Sequence, residues 1–213
     1  MRSLLLRLLL PVFLILYCAQ GARADEIDYI FQGYASGSIG STSFTNSAFT
    51  ITLTADTSNI SQFAMSCLPS PCTIYDVAAT SATITADGLT TNITSPIGVY
   101  DNQTVDVLGL SRITGPGTGG LGMDLLSISN SAFATYNLST PIAAVGPVNL
   151  GDLSEFSCSA GCVITGIGDV SMSSASQVTF TDPVPEPASV LLLAVGLLAV
   201  VGVRRTMRGR ARA

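Results

Sequence analysis

The sequence predicts an all-β protein: a single antiparallel β-sandwich or jelly-roll-like domain, flanked by an N-terminal signal helix and a C-terminal transmembrane helix. Three observations lead there. Apolar residues alternate with Thr and Ser at a period of two, Gly- and Asn-containing turns recur at short intervals, and the two long apolar runs lie near the ends of the 213 residues. A period of two sends alternate side chains to opposite faces of a strand, so one face is buried and the other meets solvent.

The N-terminal element reads as a leader. Arg2 and Arg7 precede the apolar stretch from Leu8 to Tyr17, and Ala22-Arg23-Ala24 supplies an A-x-A cleavage pattern before Asp25. Residues 1–24 are therefore expected to be a signal peptide cut by signal peptidase at Ala22 and Ala24. Cys18 falls inside it, and bulky Tyr17 stands where a lipidated cysteine would need a small neighbour.

Residues 25–182 are the expected extracytoplasmic β-sandwich domain. Phe49, Ile51 and Leu53 alternate with Thr50, Thr52 and Thr54, and Ala82, Ile84 and Ala86 alternate with Ser81, Thr83 and Thr85. Asp87-Gly88 follows that second run and leads into Leu89, Thr91 and Ile93, a two-residue hairpin signal. Further strands are expected over Ile27 to Ala35, Thr73 to Ala79, Thr104 to Ile113, Met123 to Ser129, Ala132 to Asn137, Val163 to Val170 and Gln177 to Thr181. About ten short strands with no long amphipathic helix point to one sandwich or jelly roll. A domain of this size buries roughly 68–70% of its unfolded surface, so it needs no metal or cofactor to fold.

Charge separates sharply along the chain. All nine basic residues are arginines, and only Arg112 lies between residues 25 and 182, beside thirteen acidic residues, for a net charge of −12. Such a surface repels nucleic acid, and no nucleic-acid partner is expected. Arg112 reads as the ion-pair partner of surrounding carboxylates.

Four cysteines fall in the same segment. Cys67 and Cys72 bracket Leu-Pro-Ser-Pro, and Cys158 and Cys162 bracket Ser-Ala-Gly. Four allow three pairings, and the two local ones are favoured because each brackets turn-forming residues in an oxidising compartment. Closing such short loops stabilises by less than the ~3 kcal/mol of a fifteen-residue loop. Zinc is the alternative reading, but the spacings are not C-x-x-C and the chain has no His.

Absent residue types bound the chemistry. With neither His nor Lys, a Ser or Cys nucleophile lacks its usual base, and Schiff-base chemistry is excluded. Paired carboxylates leave a glycosidase conceivable, yet the chain has no Trp to platform a sugar. Gly115 to Gly122 superficially resembles a phosphate-binding loop, but without a Lys or a following helix it reads as a surface loop. Asp101, Asn102 and Asp106 offer oxygens for calcium without the D-x-D-x-D-G spacing of a dedicated loop, so solvated turn residues are the preferred reading. The sequons at Asn59, Asn92, Asn102 and Asn137 carry glycans only in a eukaryotic secretory route. No catalytic residue, cofactor or metal ligand is assigned.

The last element is residues 183–213. Pro185 and Pro187 hold Val184 and Glu186 extended, so helix begins only after them. From 188 to 203 every residue is apolar or small, about 24 Å of helix against a hydrocarbon core of about 30 Å. Arg204, Arg205, Arg208, Arg210 and Arg212 extend that span by snorkelling and hold the C-terminus on the cytoplasmic side.

Val184-Pro185-Glu186-Pro187, the apolar span and the terminal arginines together resemble a PEP-CTERM sorting domain. The resemblance implies a Gram-negative-type bacterial exported protein, processed by the membrane protease/transpeptidase exosortase near Pro185 to Pro187. It also implies a transient inner-membrane anchor, then release to the cell surface or an exopolysaccharide matrix. The run from Phe44 to Thr57 is similar to Thr-rich β domains common in such proteins. The resulting expectation is a non-catalytic surface or matrix protein associated with exopolysaccharide or biofilm. Its alternatives are a glycan- or partner-binding module, with or without calcium, a carboxylate-dependent glycosidase, and a permanently anchored single-pass membrane protein.

Overall fold

The first strand, β1 (Glu26–Ile39), runs straight into a hairpin with β2 (Thr42–Asp56). A computed structural model describes residues 26–66, 71–113, 121–148, 150–152 and 163–183 of the chain. After a short 3₁₀ turn at Thr57–Asn59 come β3 (Ser61–Met65), β4 (Cys72–Ala78), β5 (Ser81–Ala86), β6 (Leu89–Asn92), β7 (Ile97–Asn102), β8 (Val107–Ile113) and β9 (Leu121–Ser129). A second 3₁₀ turn, Ser131–Thr135, precedes β10 (Val145–Val148), β11 (Leu150–Asp152), β12 (Val163–Thr165) and β13 (Gly168–Thr181).

These strands build two wholly antiparallel sheets. The first has the order β10-β13-β1-β2-β5-β6, with β12 also against β13, and the second has the order β11-β9-β8-β7-β4-β3. Just beyond β6, Ile93 bridges Thr165 of β12, so the first sheet curls toward closure at that end. The expected all-β fold is the observed one.

One apolar core lies between the sheets. Ile27, Tyr29 and Phe31 of β1, Phe49, Ile51 and Leu53 of β2, and Ile84 of β5 meet Val77, Val99, Leu108, Leu110, Leu126 and Ile128 of the second sheet. Each such side chain, fully buried, stabilises by roughly 1.5–3 kcal/mol relative to exposure. A smaller cluster of Cys72, Ile74 and Tyr100, with Phe63 and Val107 against it, forms on the other face of the second sheet. Tyr100 lies over Gly109, whose missing Cβ would fall 2.8 Å from the ring, so that ring position requires glycine across the strand pair.

The outer face of the first sheet carries the alternate residues in register. One row runs Thr181, Ile30, Thr52, Thr83, Asn92 across five strands, and the next runs Thr179, Gln32, Thr50, Thr85, Thr90. Beyond them Ser176, Tyr34 and Ala48 align, followed by Ser174 and Ser36. A bulge at Gln177, whose φ of 51° is left-handed, shifts the register of β13 beside Gly33 and so brings Ser176 opposite Tyr34 on this face.

The Asp87-Gly88 hairpin forms as expected, with both residues at positive φ (52° and 77°) and Ala86 opposite Leu89. Three expected strands differ. Ala132 to Asn137 lies mainly in a 3₁₀ turn, because the Asn130 side chain accepts the Ala132 amide at 2.9 Å and the Asn130 carbonyl accepts the Phe133 amide at 2.9 Å. Thr104 to Ile113 begins as a turn, where Asn102 Oδ1 accepts the Thr104 amide at 3.2 Å, and becomes strand only at Val107. Val163 to Val170 is a hairpin rather than one strand: Thr165 Oγ1 donates to the Gly168 carbonyl at 2.6 Å across the turn at Gly166 and Ile167. Leu121 and Gly122, expected within a glycine-rich loop, instead open β9.

Candidate functional site

Two groups of residues concentrate the domain's polar chemistry, and the first is where the folded chain ends. β13 carries Phe180 into the core, where its ring meets Phe31 at 5.0 Å, Tyr136 at 5.9 Å, Phe133 at 6.0 Å and Tyr29 at 6.4 Å between centroids. Two residues later the Asp182 side chain is fully buried, and its carboxylate accepts both the Tyr136 hydroxyl and the Ile142 amide. Pro183, next in the chain, is exposed. The buried part of the described chain thus runs to Asp182, one residue before exposed Pro183.

The surroundings of Asp182 are closed by further buried bonds. Tyr29 donates its hydroxyl to the Leu138 carbonyl at 2.6 Å, and Gln103 Nε2 donates to the Tyr136 carbonyl at 2.7 Å. Burial pushes the Asp182 carboxyl above its ordinary range, while the bonds from Tyr136 and Ile142 pull the other way. Burial, then the nearby Asp182 charge, raises the Tyr29 and Tyr136 phenols, so both remain neutral donors. A group of this kind holds shape. The Tyr29 and Tyr136 hydroxyls and both Asp182 oxygens are each held by a protein partner.

The second group is the acidic turn between β7 and β8. Asp101 has no exposed surface, faces the core beside Leu108, and its two carboxylate oxygens lack hydrogen-bond partners. Burial, then the neighbouring Asp106, raises its pKa to about 8. Asn102 falls on the opposite side of the pleat and folds onto its own turn through Thr104, while Asp106 takes the left-handed region at φ 56°. Asp101 and Asn102 therefore do not turn their oxygens toward one ion. Among the described residues no group of three or more His, Cys, Asp or Glu side chains could hold a metal ion. Arg112 is half-buried on β8, opposite Ile97. Asp76, on the other face of the second sheet, has one buried oxygen without a partner, and burial raises its carboxyl.

Cys72 is buried at the start of β4 and disulfide-bonded. Cys67, Cys158 and Cys162 lie outside the described residues, as do the cleavage residues Ala22 and Ala24, residues 115–120, Val184, Pro185, Glu186 and Pro187, the apolar span 188–203, and Arg204, Arg205, Arg208, Arg210 and Arg212.

Sequence reasoning counted Asp182 only among the acidic residues of the domain and missed the clasp, because nothing beside it in the chain marks it as buried. It also missed the inward turn of Asp101, which no local pattern signals. Comparison with protein families matches residues 183–205 to the PEP-CTERM protein-sorting motif. The match covers the segment that begins one residue after Asp182, and it marks the chain as an exported protein that exosortase processes. Neither the curated proteins nor the solved structures contain a match to the chain.

Proposed function

We propose that this chain, which carries a PEP-CTERM sorting motif at residues 183–205, is a non-catalytic surface or extracellular-matrix protein whose β domain is delivered to, and associates with, exopolysaccharide. The observation that carries the reading is the boundary at Asp182 and Pro183. Among the described residues the last side chain held by buried hydrogen bonds is Asp182, and the motif that exosortase would cut starts at 183.

Signal peptidase acts first at Ala24, the 188–203 span and its arginines anchor the chain in the inner membrane, and exosortase then releases the domain toward the surface. The absence of His and Lys from the whole chain supports a non-catalytic role, since the imidazole base and the imine-forming side-chain amine are missing and only carboxylates remain for proton transfer. Local disulfides, Cys67 with Cys72 and Cys158 with Cys162, would staple two loops of the exported domain.

Mass spectrometry of the mature C-terminus tests the sorting step. A terminus between Val184 and Pro187 is expected, and Glu186→Ala with Pro187→Ala should retain the chain in the inner membrane. A released protein still ending at Ala213 would overturn the reading in favour of no tail processing.

A further inference from the structure

We infer that the outer face of the first sheet is a binding surface for a neutral polysaccharide, with Tyr34 as its stacking platform and the two threonine rows as its hydrogen-bonding field. The inference deepens the exopolysaccharide association proposed above and rests on it for the occupant's compartment. It adds the face and the charge class of the polymer.

Charge is the first argument. The domain carries −12, yet from the row of Thr52 and Thr83 to that of Ser174 and Ser36 the paired outer positions hold no carboxylate and no cation; the carboxylates Asp28, bonded to Thr54, and Asp87, in the turn beside Ser47 and Ala48, mark the borders of this field. The one cation of residues 25–182, Arg112, belongs to the other sheet. An anionic polymer would meet no counter-charge here and an acidic domain around it, so the complementary partner is uncharged.

The second argument is the side chains themselves. Tyr34 is a large aromatic residue, 45% exposed, and its cross-strand neighbours Ala48 and Ser176 are too small to cover the ring. A tyrosine presents an apolar face and a polar tip, which suits the apolar face of a sugar ring and its rim of hydroxyls. Beside it, the row containing Gln32, Thr50 and Thr85 spans five strands at about 4.8 Å each, roughly 19 Å of hydroxyl and amide groups. Thr85 and Thr90 share a bond of 2.8 Å between their hydroxyls, and Thr179 reaches the Gln32 carbonyl at 3.4 Å. Each hydroxyl keeps acceptor capacity beyond its one bond, so the row remains open to a polyhydroxyl chain.

The same composition argues against a second protein sheet on this face. Sheets pack through interdigitated apolar side chains, and these rows offer only Ile30 and Tyr34 as large ones.

The test uses the full-length chain in detergent, with insoluble cellulose as the neutral probe and alginate as the anionic one. Cellulose should retain the protein and alginate should not. Tyr34→Ala should weaken retention at least tenfold, and Thr52→Glu, which puts charge into the field, should do the same. Val105→Ala, at an exposed position in the turn between β7 and β8 of the other sheet, should change nothing, and unchanged far-UV circular dichroism secures the fold of each variant. Cellulose retention that survives both face variants overturns this assignment while leaving polymer association standing. Failure to bind either glycan overturns both, binding to alginate alone overturns the neutral class, and a dimer that Tyr34→Ala or Thr52→Glu dissociates assigns the face to a second copy instead.

Discussion

The hydroxyl of Tyr136 donates to the buried carboxylate of Asp182, joining the end of the second 3₁₀ turn to the residue that follows β13. This contact spans 46 residues and closes the core at the point where the sorting motif begins. Removing the hydroxyl leaves a buried carboxylate short of one partner. Tyr136→Phe should destabilise by about 1.5–3 kcal/mol, read from the urea midpoint at unchanged m-value.

A chain ending at Pro183 keeps every bond of Asp182, whereas one ending at Thr181 loses both the Tyr136 and the Ile142 contacts. The shorter chain should melt roughly 4–8 °C lower, the shift expected for about 2 kcal/mol in a domain of this size. Equal melting temperatures for the two would show that Asp182 does not hold the end.

Asp101 should make stability fall as pH rises. Its ordinary pKa is 3.8 and its folded value is about 8, so between those pH values the folded chain binds a proton that the unfolded chain has released. No penalty exists below about pH 4; it grows through the interval and levels off above about pH 8. Asp101→Asn removes the titration. The variant should match the parent near pH 4 and exceed it by on the order of 2–4 kcal/mol at pH 8.5, as measured by chemical denaturation at both pH values.

Gly109→Ala should be costly although it adds a single methyl. The new Cβ would stand 2.5 Å from the Leu126 carbonyl oxygen and 2.8 Å from the Tyr100 ring. Backbone cannot give way as a flexible side chain does, so a loss of about 1–3 kcal/mol is expected in urea denaturation. Gly88→Ala is the comparison, since nothing lies within 4 Å of that Cβ and only the φ of 77° opposes it; its cost should stay near 1 kcal/mol.

The parts of the fold legible in the sequence were those with one wet and one dry face. Phe49 to Thr54 and Ser81 to Ala86 alternate cleanly because their outer threonines meet solvent, and Asp87-Gly88 fixes the hairpin after them. β7 was illegible for the opposite reason: Ile97, Gly98, Val99, Tyr100 and Asp101 are all buried, so no period of two survives. Phe133 and Tyr136 alternate in neither sense, and their turn is set by a side-chain cap at Asn130 that competes with strand pairing. The sorting motif was legible because its proline pair, apolar run and arginines act in order along the chain. The outer rows were half legible, since the threonines were visible but their alignment across five strands depends on register.

The position of β13 has a consequence in time. The last strand of the domain is an inner strand of the first sheet, held on one side by β1, the first strand, and on the other by β10 and β12. A chain that leaves the cytoplasm N-terminus first cannot complete that sheet until its final strand has emerged, because Ile30 has no partner on that side before Thr181 arrives. Completion of the first sheet is therefore deferred to the end of passage, when the strand next to the sorting motif arrives.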